Sequence, residues 1–423
     1  MASPTPVAKT DDLTELLKIL TQNVEAYLSV APHPPSLSWP SKTDPLAEPI
    51  ANGIRQQVVR SAEKILALVA GPREWVMKQA SGYLTPAALL SVMEMNILKY
   101  VSEDRTKPTS IDELASRTGA SPLVLTRLLK MLTHHYIFEE VENNKFAHNA
   151  MSKFIQIPEI ESYVAMTADE TAVAAAHLAA KLKATGYRDG VGRYDTAFQK
   201  AFNTHLDLFE WMALKEKSKE TRFADAMTAW ENFPVSTINV YPWADLPDGA
   251  TVVDIGGGTG HISATLSKTY PHLRFVIQDF EKPLSLGKEK YAQTHPKIEW
   301  QVHDAYTPNP RKGADVYYIR HAIHDHDDSE CVILLGNCVK AMGKNSRILV
   351  HDMVVPDAVG EDLNYHLLKS DLVELVLLNG IERTLQQWKN LAKATHEKLE
   401  VVKIWRRGDS VADVGAVIEF RMT

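Results

Sequence analysis

The sequence predicts an α/β protein with a doubly wound parallel sheet in its C-terminal half and a mostly helical N-terminal half. The first observation is that, from Pro247 onward, short β-branched runs alternate with apolar helical stretches. Strands joined through helices run parallel, because each crossover returns the chain to the same end of the sheet. The second observation is that helical periodicity fills most of the chain before Pro247. The predicted strands cover residues 251–255, 273–277, 298–302, 316–319 and 348–350.

The 423 residues, 45% of them hydrophobic, are enough for two or three buried cores. A separate N-terminal piece, residues 1–50, contains a predicted helix over 13–28 and a Pro/Ser-rich linker over 31–49. The remaining predicted segments are a helical domain over 51–155, bridging helices over 156–240 and the sheet domain over 241–423.

The 51–155 segment has the pattern of a winged helix. One helix continues from 87–93, and a second begins at Ser110, where Glu113 completes the pattern of a capping box. A third helix is opened by Pro122 and runs to Leu132. The run 137–146 then predicts a small β-hairpin wing.

A winged helix suggests nucleic-acid binding, which the charge pattern excludes. The third helix carries only Arg127 and Lys130 as basic residues, and the net charge of the chain is -7. A recognition helix needs a basic face, and overall acidity repels phosphate. We therefore expect a small-molecule partner and no nucleic acid.

Membrane and redox signals favour a cytoplasmic protein. The sequence contains neither an apolar signal core at its start nor an apolar run of membrane-spanning length, so we expect no membrane association. Cys331 and Cys338 lie seven residues apart on one predicted helix and cannot form a disulfide without breaking it. Both are predicted to be reduced.

The sequence Asp254-Ile255-Gly256-Gly257-Gly258-Thr259-Gly260 predicts a cofactor-binding turn between a strand and a helix. Glycines allow a ligand to approach the backbone closely, and the free N–H groups at a helix start attract an anion. We expect Asp254, Gly256 and Gly258 to belong to this cofactor site. Glycines alone also form ordinary loops, so the turn needs further support.

That support comes from acids at the ends of the next two strands. Asp279 follows Asp254 by 25 residues, near the spacing at which an acid binds ribose hydroxyls. Asp304 is placed to hold an adenine amino group, although such a residue also caps turns. The pattern GGGTG departs from the dinucleotide pattern G-x-G-x-x-G, because neither glycine nor alanine stands in its third place. This favours S-adenosylmethionine over a nicotinamide cofactor.

A second motif, Tyr317-Tyr318-Ile319-Arg320-His321-Ala322-Ile323-His324-Asp325, places a histidine just after a strand. At its ordinary pKa of about 6.5, the His324 imidazole is mostly neutral at cellular pH and can accept a phenolic proton. In the alternative interpretation His324 only closes the strand. The cluster of His321, His324 and His326 with nearby acids also suggests a metal, but its spacing matches no closed site, and we expect none.

Together, segments 254–260, 278–279, 303–304, 317–325 and 379–384 resemble the successive motifs of the large, metal-independent O-methyltransferases of plants and fungi, fungal secondary-metabolite members above all. The resemblance covers about residues 55–400. It implies a Rossmann-like S-adenosylmethionine-binding domain preceded by an α-helical winged-helix dimerisation domain, in a homodimer.

The resemblance also assigns roles to single residues. It makes His324 the general base, flanked by Asp352 and Glu382, and it places Arg320 against the cofactor. Where the family commonly has Trp after the His-Asp pair, this chain has His326. The last two strands, 399–405 and 416–421, are implied to form an antiparallel edge hairpin.

For the substrate pocket, the resemblance points to Phe223 and Met227. As an apolar pair at helical spacing, these two residues are equally well explained as core. The expected reaction is methylation of a phenol or enol hydroxyl of a secondary metabolite.

The alternative reaction is a pericyclic rearrangement or dehydration that does not consume the cofactor. His148 is placed to serve as a pocket histidine for such chemistry, unless it is only a polar residue after the wing. Relatives of that kind tend to replace the His-Asp pair. Because His324 and Asp325 are both present, the sequence favours methyl transfer.

Overall fold

The structure is a computed structural model that describes residues 11–31, 35–38, 49–231, 240–356, 365–406 and 415–423. The described residues fall into two compact units, one within 1–173 and 209–236 and the other within 174–208 and 237–423. Residues 156–240 are therefore divided between the two units, while the four predicted segment boundaries remain a prediction.

The helices, in chain order, are α1 (Leu13–Val30), α2 (Pro49–Ala80), α3 (Leu84–Glu94), α4 (Ile97–Tyr100), α5 (Ile111–Thr118), α6 (Pro122–His134), α7 (Ala150–Ile155), α8 (Pro158–Met166), α9 (Ala172–Ala175), α10 (Leu178–Ala184), α11 (Ala197–Phe202), α12 (Leu208–Lys215), α13 (Lys217–Glu231), α14 (His261–Thr269), α15 (Glu281–Tyr291), α16 (Asp328–Val339), α17 (Tyr365–Leu377) and α18 (Leu385–Thr395). The strands are β1 (Thr109–Ser110), β2 (Phe138–Glu142), β3 (Lys145–His148), β4 (Thr251–Ile255), β5 (Arg274–Asp279), β6 (Ile298–Val302), β7 (Val316–Arg320), β8 (Arg347–Met353), β9 (Leu399–Trp405) and β10 (Gly415–Met422).

The first unit contains the predicted winged helix. Strands β1, β3 and β2 form a small antiparallel sheet in that order. The Ser110 side chain caps α5 by accepting a hydrogen bond from the Glu113 amide at 3.2 Å. Leu114, Leu129 and Phe146 have no exposed surface and lie in one core, which joins the helices to the wing. The apolar faces of α5 and α6 therefore have a partner within the unit.

The second unit is built on a seven-stranded sheet in the order β6-β5-β4-β7-β8-β10-β9. The first five strands are parallel, and β10 is antiparallel to both β8 and β9. This arrangement confirms the predicted doubly wound sheet, and it includes the edge hairpin that the family resemblance implied.

Helices cover both faces of this sheet because its central strands are apolar on both sides. Tyr317 and Ile319 of β7 join one buried cluster, while Val316 and Tyr318 join the cluster on the opposite face. The carboxyl ends of the parallel strands meet at one edge, where Asp254, Asp279, Arg320 and Asp352 lie in the last two residues of their strands.

The described part of the N-terminal piece confirms the predicted helix: α1 runs two residues beyond the predicted end. Most of the predicted linker, 31–49, lies outside the described residues. Cys331 and Cys338 are buried on α16 and form no disulfide, and burial raises the pKa of each thiol to about 12. Within the described ranges, no helix combines the length and apolarity needed to cross a membrane.

A close approach between α15 and the glycine turn gives a matched pair of substitutions. A Cβ at Gly287 would lie 2.4 Å from the Thr259 carbonyl oxygen, whereas one at Gly336 in α16 would meet nothing within 4 Å. We expect Gly287→Ala to destabilise the protein by about 1–3 kcal/mol through overpacking and to weaken cofactor binding. Gly336→Ala should stabilise it by about 0.5–1 kcal/mol.

Denaturant unfolding and S-adenosylmethionine titration of both variants measure these effects. Equal unfolding midpoints for the two variants would show that the backbone at Thr259 can move away from the side chain added at position 287 without a loss of stability.

Candidate active site

The glycine turn follows β4 and leaves its backbone bare. Gly256 and Gly258 have φ values of 69° and 57°, in the left-handed region that side chains disfavour. At Gly257 an added Cβ would lie 2.8 Å from the Asp254 carboxylate. The turn therefore packs tightly against the end of its own strand and offers only main-chain atoms to a ligand.

Asp254 is buried beneath this turn and organises it. Its carboxylate accepts a 2.6 Å hydrogen bond from the Ser263 hydroxyl, which joins the strand to the first turn of α14. Burial raises the pKa of Asp254 to about 6, against the lowering effects of Ser263 and of the His261 and Arg320 charges. Asp254, which we expected to belong to the cofactor site, thus also stabilises the conformation of the glycine turn.

Asp279, at the end of β5, also contacts the turn. One carboxylate oxygen accepts a hydrogen bond from the Gly258 amide at 2.8 Å, and the other accepts one from Phe280 at 2.7 Å. Burial raises the pKa of Asp279. Since an ionised carboxylate has about four acceptor positions, these two bonds leave capacity for ribose hydroxyls.

Asp304 and Arg320 complete the predicted cofactor set. One oxygen of Asp304 accepts a 2.9 Å bond from the Tyr306 amide, which is the turn-capping geometry of the ordinary interpretation. Arg320 is the last residue of β7, and its charge lowers the pKa of both Asp254 and Asp352. Arg320 therefore acts electrostatically on both the cradle and the histidine cluster.

His324 lies in the loop after β7 and is buried. Its Nδ1 is 2.9 Å from Glu382 Oε1, and its Nε2 is 3.3 Å from Asp325 Oδ1. The Ser370 hydroxyl donates to the same Glu382 oxygen at 2.9 Å. Because a carboxylate only accepts, Glu382 orients the ring with its Nδ1 proton toward the glutamate.

The loop that carries His324 is held by the segment that contains Glu382. A Cβ at Gly380 would lie 2.1 Å from the His324 carbonyl oxygen, and the Ile381 amide donates to that oxygen at 2.8 Å. Arg383 has no exposed surface and donates to the Ile323 and His326 carbonyls at 3.2 and 2.9 Å. The 379–384 motif thus positions the loop as well as supplying Glu382.

The electrostatics of His324 correct one sequence expectation. Burial by itself lowers the pKa of the imidazole, but the charges of Asp352 and Asp325 and the hydrogen bond to Glu382 raise it well above 6.5. The expectation that His324 keeps its ordinary pKa is therefore wrong. Asp325 is the next residue of the motif, but Asp352 and Glu382 come from elements distant in sequence.

Glu374 is a site residue that the sequence interpretation missed. Its charge helps to raise the pKa of His324, and burial raises the pKa of Glu374 itself well above its ordinary value. Asp371, on the same helix, accepts a 3.0 Å hydrogen bond from the Glu382 amide. The available signal was a pair of acids three residues apart in the C-terminal part of α17, residues 371–377, which is otherwise leucine and valine.

The three predicted substrate residues belong to the first unit. His148 is buried, with its ring nitrogens 2.9 Å from the Ser152 hydroxyl and 2.9 Å from the Leu98 carbonyl. Phe223 packs edge-on against Phe209 at 5.6 Å, and Met227 is half-buried. His148 is therefore a packed interior residue, Phe223 and Met227 are half-buried, and a role for any of the three in substrate binding remains a prediction.

Comparison with known families accounts for most of the chain. Residues 178–396 match the O-methyltransferase domain family, and residues 77–155 match the O-methyltransferase dimerisation domain. The first match spans the five parallel strands of the sheet, the glycine turn and the His324 loop, and the second spans the winged helix. The chain belongs to the O-methyltransferase family of plants and fungi, and its cofactor is S-adenosylmethionine.

The chain is also similar to individual members along nearly its whole length. It is 34% identical over 422 residues to O-methyltransferase xanE of Aspergillus fumigatus, covering 98% of this chain and 97% of that protein. It is 32% identical over 416 residues to sterigmatocystin 8-O-methyltransferase of Aspergillus parasiticus, covering 97% of each. A solved structure described as a pericyclic reaction enzyme shares the fold, with a TM-score of 0.76 and 24% identity over 97% of this chain and 100% of that one.

Asp279 provides a direct test of the cofactor site. Asp279→Asn removes the charge that we expect to bind ribose hydroxyls. Because hydrogen bonds to charged groups contribute about 1.5–3 kcal/mol, we expect S-adenosylmethionine affinity to fall about tenfold to hundredfold. Calorimetric titration measures the change, with the exposed Glu281→Gln as the control in the same turn. An unchanged affinity in Asp279→Asn would remove this residue from the cofactor site.

Proposed function

We propose that the protein transfers the methyl group of S-adenosylmethionine to a phenol or enol hydroxyl of a secondary metabolite, with His324 as general base. The observation that carries this proposal is the 2.9 Å contact between His324 Nδ1 and the buried Glu382, which fixes the ring and leaves Nε2 for the acceptor. The family membership and the name of one fungal relative, sterigmatocystin 8-O-methyltransferase, support the substrate class.

The residues around the glycine turn fit the cofactor. Asp254, Gly256, Gly258, Asp279, Asp304 and Arg320 would hold it. A cradle that presents bare backbone suits a nucleoside, and side chains at the glycines would fill that space. When bound, the cofactor supplies an activated methyl group on a sulfonium leaving group.

Alignment and proton removal are the tasks left to the protein. Holding the acceptor oxygen at near-attack distance is worth about 7–11 kcal/mol of the barrier, and a positioned base adds about 10² to 10⁴-fold. The contact of Nε2 with Asp325 is long, at 3.3 Å, so an acceptor hydroxyl can replace it. Asp352 and Glu382 would then stabilise the imidazolium that forms.

The raised pKa of His324 favours an acidic hydroxyl as the acceptor. A phenol ionises near pH 10. Proton transfer is most efficient when donor and acceptor pKa values are close, so a histidine with a raised pKa suits a phenol better than one at 6.5. The same shift means that the free enzyme must lose a proton before it can act as a base.

A rearrangement or dehydration that leaves the cofactor intact is the second candidate. It is favoured by the fold shared with a pericyclic reaction enzyme. Fold alone does not define chemistry. We prefer methyl transfer because the His324–Asp325 pair is intact and His324 has an orienting acid.

We also propose a homodimer. The dimerisation-domain match covers 77–155, and large apolar side chains stand exposed at and near the start of that region, including Val69, Val76, Met77 and Tyr83. Apolar groups exposed in such number on neighbouring turns are typical of an interface.

Substitution of the base tests the proposed reaction. Purified protein is incubated with S-adenosylmethionine and a panel of phenols and enols, and mass spectrometry follows both S-adenosylhomocysteine and the products. We expect a methyl-mass gain in the wild type and a rate lower by about 10² to 10⁴-fold in His324→Ala. His295→Ala, in the turn after α15, is the control. An isomer or dehydrated product formed without S-adenosylhomocysteine would establish the second candidate instead.

Glu382, through its effect on the pKa of His324, should influence how kcat/KM depends on pH. Because kcat/KM requires neutral His324, it should rise with pH through the raised pKa of that residue. Glu382→Gln removes one of the contributions that raise this pKa, so the rise should move to lower pH while the maximal rate falls. The exposed Glu299→Gln should leave the profile in place. If Glu382→Gln lowers the rate without moving the profile, Glu382 has only a packing role.

A further inference from the structure

Two histidines and one acid at the carboxyl edge of the sheet have the composition of a metal site. His321 directly follows β7, His324 lies three residues further on, and Asp352 belongs to β8. One ligand atom from each of the three side chains lies within 4.8 Å of the others. Two imidazoles with one carboxylate are a common ligand set for divalent transition ions.

Asp352 is buried beside these histidines. Its side chain has no exposed surface, and its carboxylate accepts a hydrogen bond from the His321 amide. The contact with His321 Nδ1, at 3.6 Å, is longer than a hydrogen bond. Burying a carboxylate is costly, and because a carboxylate has about four acceptor positions, the bond from the His321 amide leaves lone pairs for a cation.

The backbone and neighbouring rings hold His321 in place. Its φ of 45° is in the left-handed region, and its amide donates to the His351 carbonyl at 3.2 Å. The His321 ring stacks on His351 at 6.0 Å and 29°, and His351 Nδ1 is 2.7 Å from the Tyr318 hydroxyl. A ligand restrained by its surroundings loses little entropy when it binds.

Negative charge in the surroundings also favours a dication. His324 forms a second group of three with Asp325 and Glu374, whose ligand atoms again lie within 4.8 Å of one another. The acids that face His321 and His324 are Asp325, Asp352, Glu374 and Glu382. A bound cation would relieve the crowding of these acids.

We propose that His321, His324 and Asp352 bind a divalent transition ion such as Zn²⁺, and that this ion inhibits the enzyme. Ligand atoms about 2.0–2.2 Å from zinc stand roughly 3–3.6 Å apart, so closing the site requires side-chain shifts of about 1 Å. The ion occupies a nitrogen of His324 and prevents that ring from acting as a base. Mg²⁺, which prefers oxygen ligands in an octahedron, does not fit this set.

Binding is measured first, without substrate, so that the result does not depend on the proposed reaction. The full-length protein is titrated with Co²⁺ and followed by its visible d–d absorption, and Zn²⁺ affinity is measured by competition with a chromogenic chelator. We expect one Zn²⁺ per chain with micromolar affinity, weakened about tenfold or more in His321→Asn, since even second-shell substitutions cost 10–100-fold. His303→Asn, outside both groups, is the control.

Inhibition is measured second and does depend on the proposed function. Zn²⁺ should lower the methyl-transfer rate of the wild type, a chelator should restore it, and Mg²⁺ should have no effect. His321→Asn, compared with its own metal-free rate, should resist Zn²⁺. If His321→Asn fails to fold, Asp352→Asn replaces it in the binding assay. Equal Zn²⁺ affinity in the wild type and the folded variant would overturn the proposal, even if methyl transfer is confirmed.

Discussion

The buried guanidinium of Arg383 fixes the loop on which the candidate active site depends. It donates to two carbonyls of the 323–326 stretch and to the Asp328 carboxylate at 2.8 Å, at the start of α16. A charge without exposed surface is tolerated only when its donors are satisfied. The loop therefore has to adopt a conformation that turns its carbonyls toward Arg383, and this conformation places the His324 ring against Glu382.

Charge balance is the second constraint on the site. The carboxyl groups of Asp325, Asp352, Glu374 and Glu382 all act on one imidazole. The Arg320 and Arg383 charges lower the pKa of Asp352 and so partly offset this excess. Such surroundings suit positively charged ligands better than anions, which agrees with a cofactor that carries a sulfonium.

The sequence predicted features whose causes are local. The glycine turn, the acid at the end of β5 and the Ser110 cap of α5 each depend on residues within about one turn or one strand–helix unit, and the structure contains all three. The end of α1 was less accurate, because α1 continues to Val30 and the Ala31 amide still donates to the Tyr27 carbonyl. Composition does not reveal that final hydrogen bond.

Features produced by packing between distant segments could not be predicted. The pKa of His324 depends on Asp352 and Glu374, which lie 28 and 50 residues beyond it in the chain. The hydrogen bonds from Arg383 to the 323–326 loop could not be predicted from the sequence either. The sequence shows Arg383 beside Glu382, but it does not indicate that the Arg383 side chain points into the interior. The motif 379–384 identified the segment of Arg383 but not the direction of its side chain, and no motif identified Glu374.

The bare Gly380 has a consequence for how proteins of this fold diverge. The cofactor turn is braced by Asp254 and Asp279 from β4 and β5, whereas the His324 loop rests on Gly380 and Arg383. A side chain at position 380 would collide with the His324 carbonyl and displace the proposed base, but it would leave both braces of the turn intact. Under the proposed mechanism a single substitution can therefore separate cofactor binding from proton abstraction, so the architecture offers a short route to descendants that retain the sulfonium ligand and abandon the transfer.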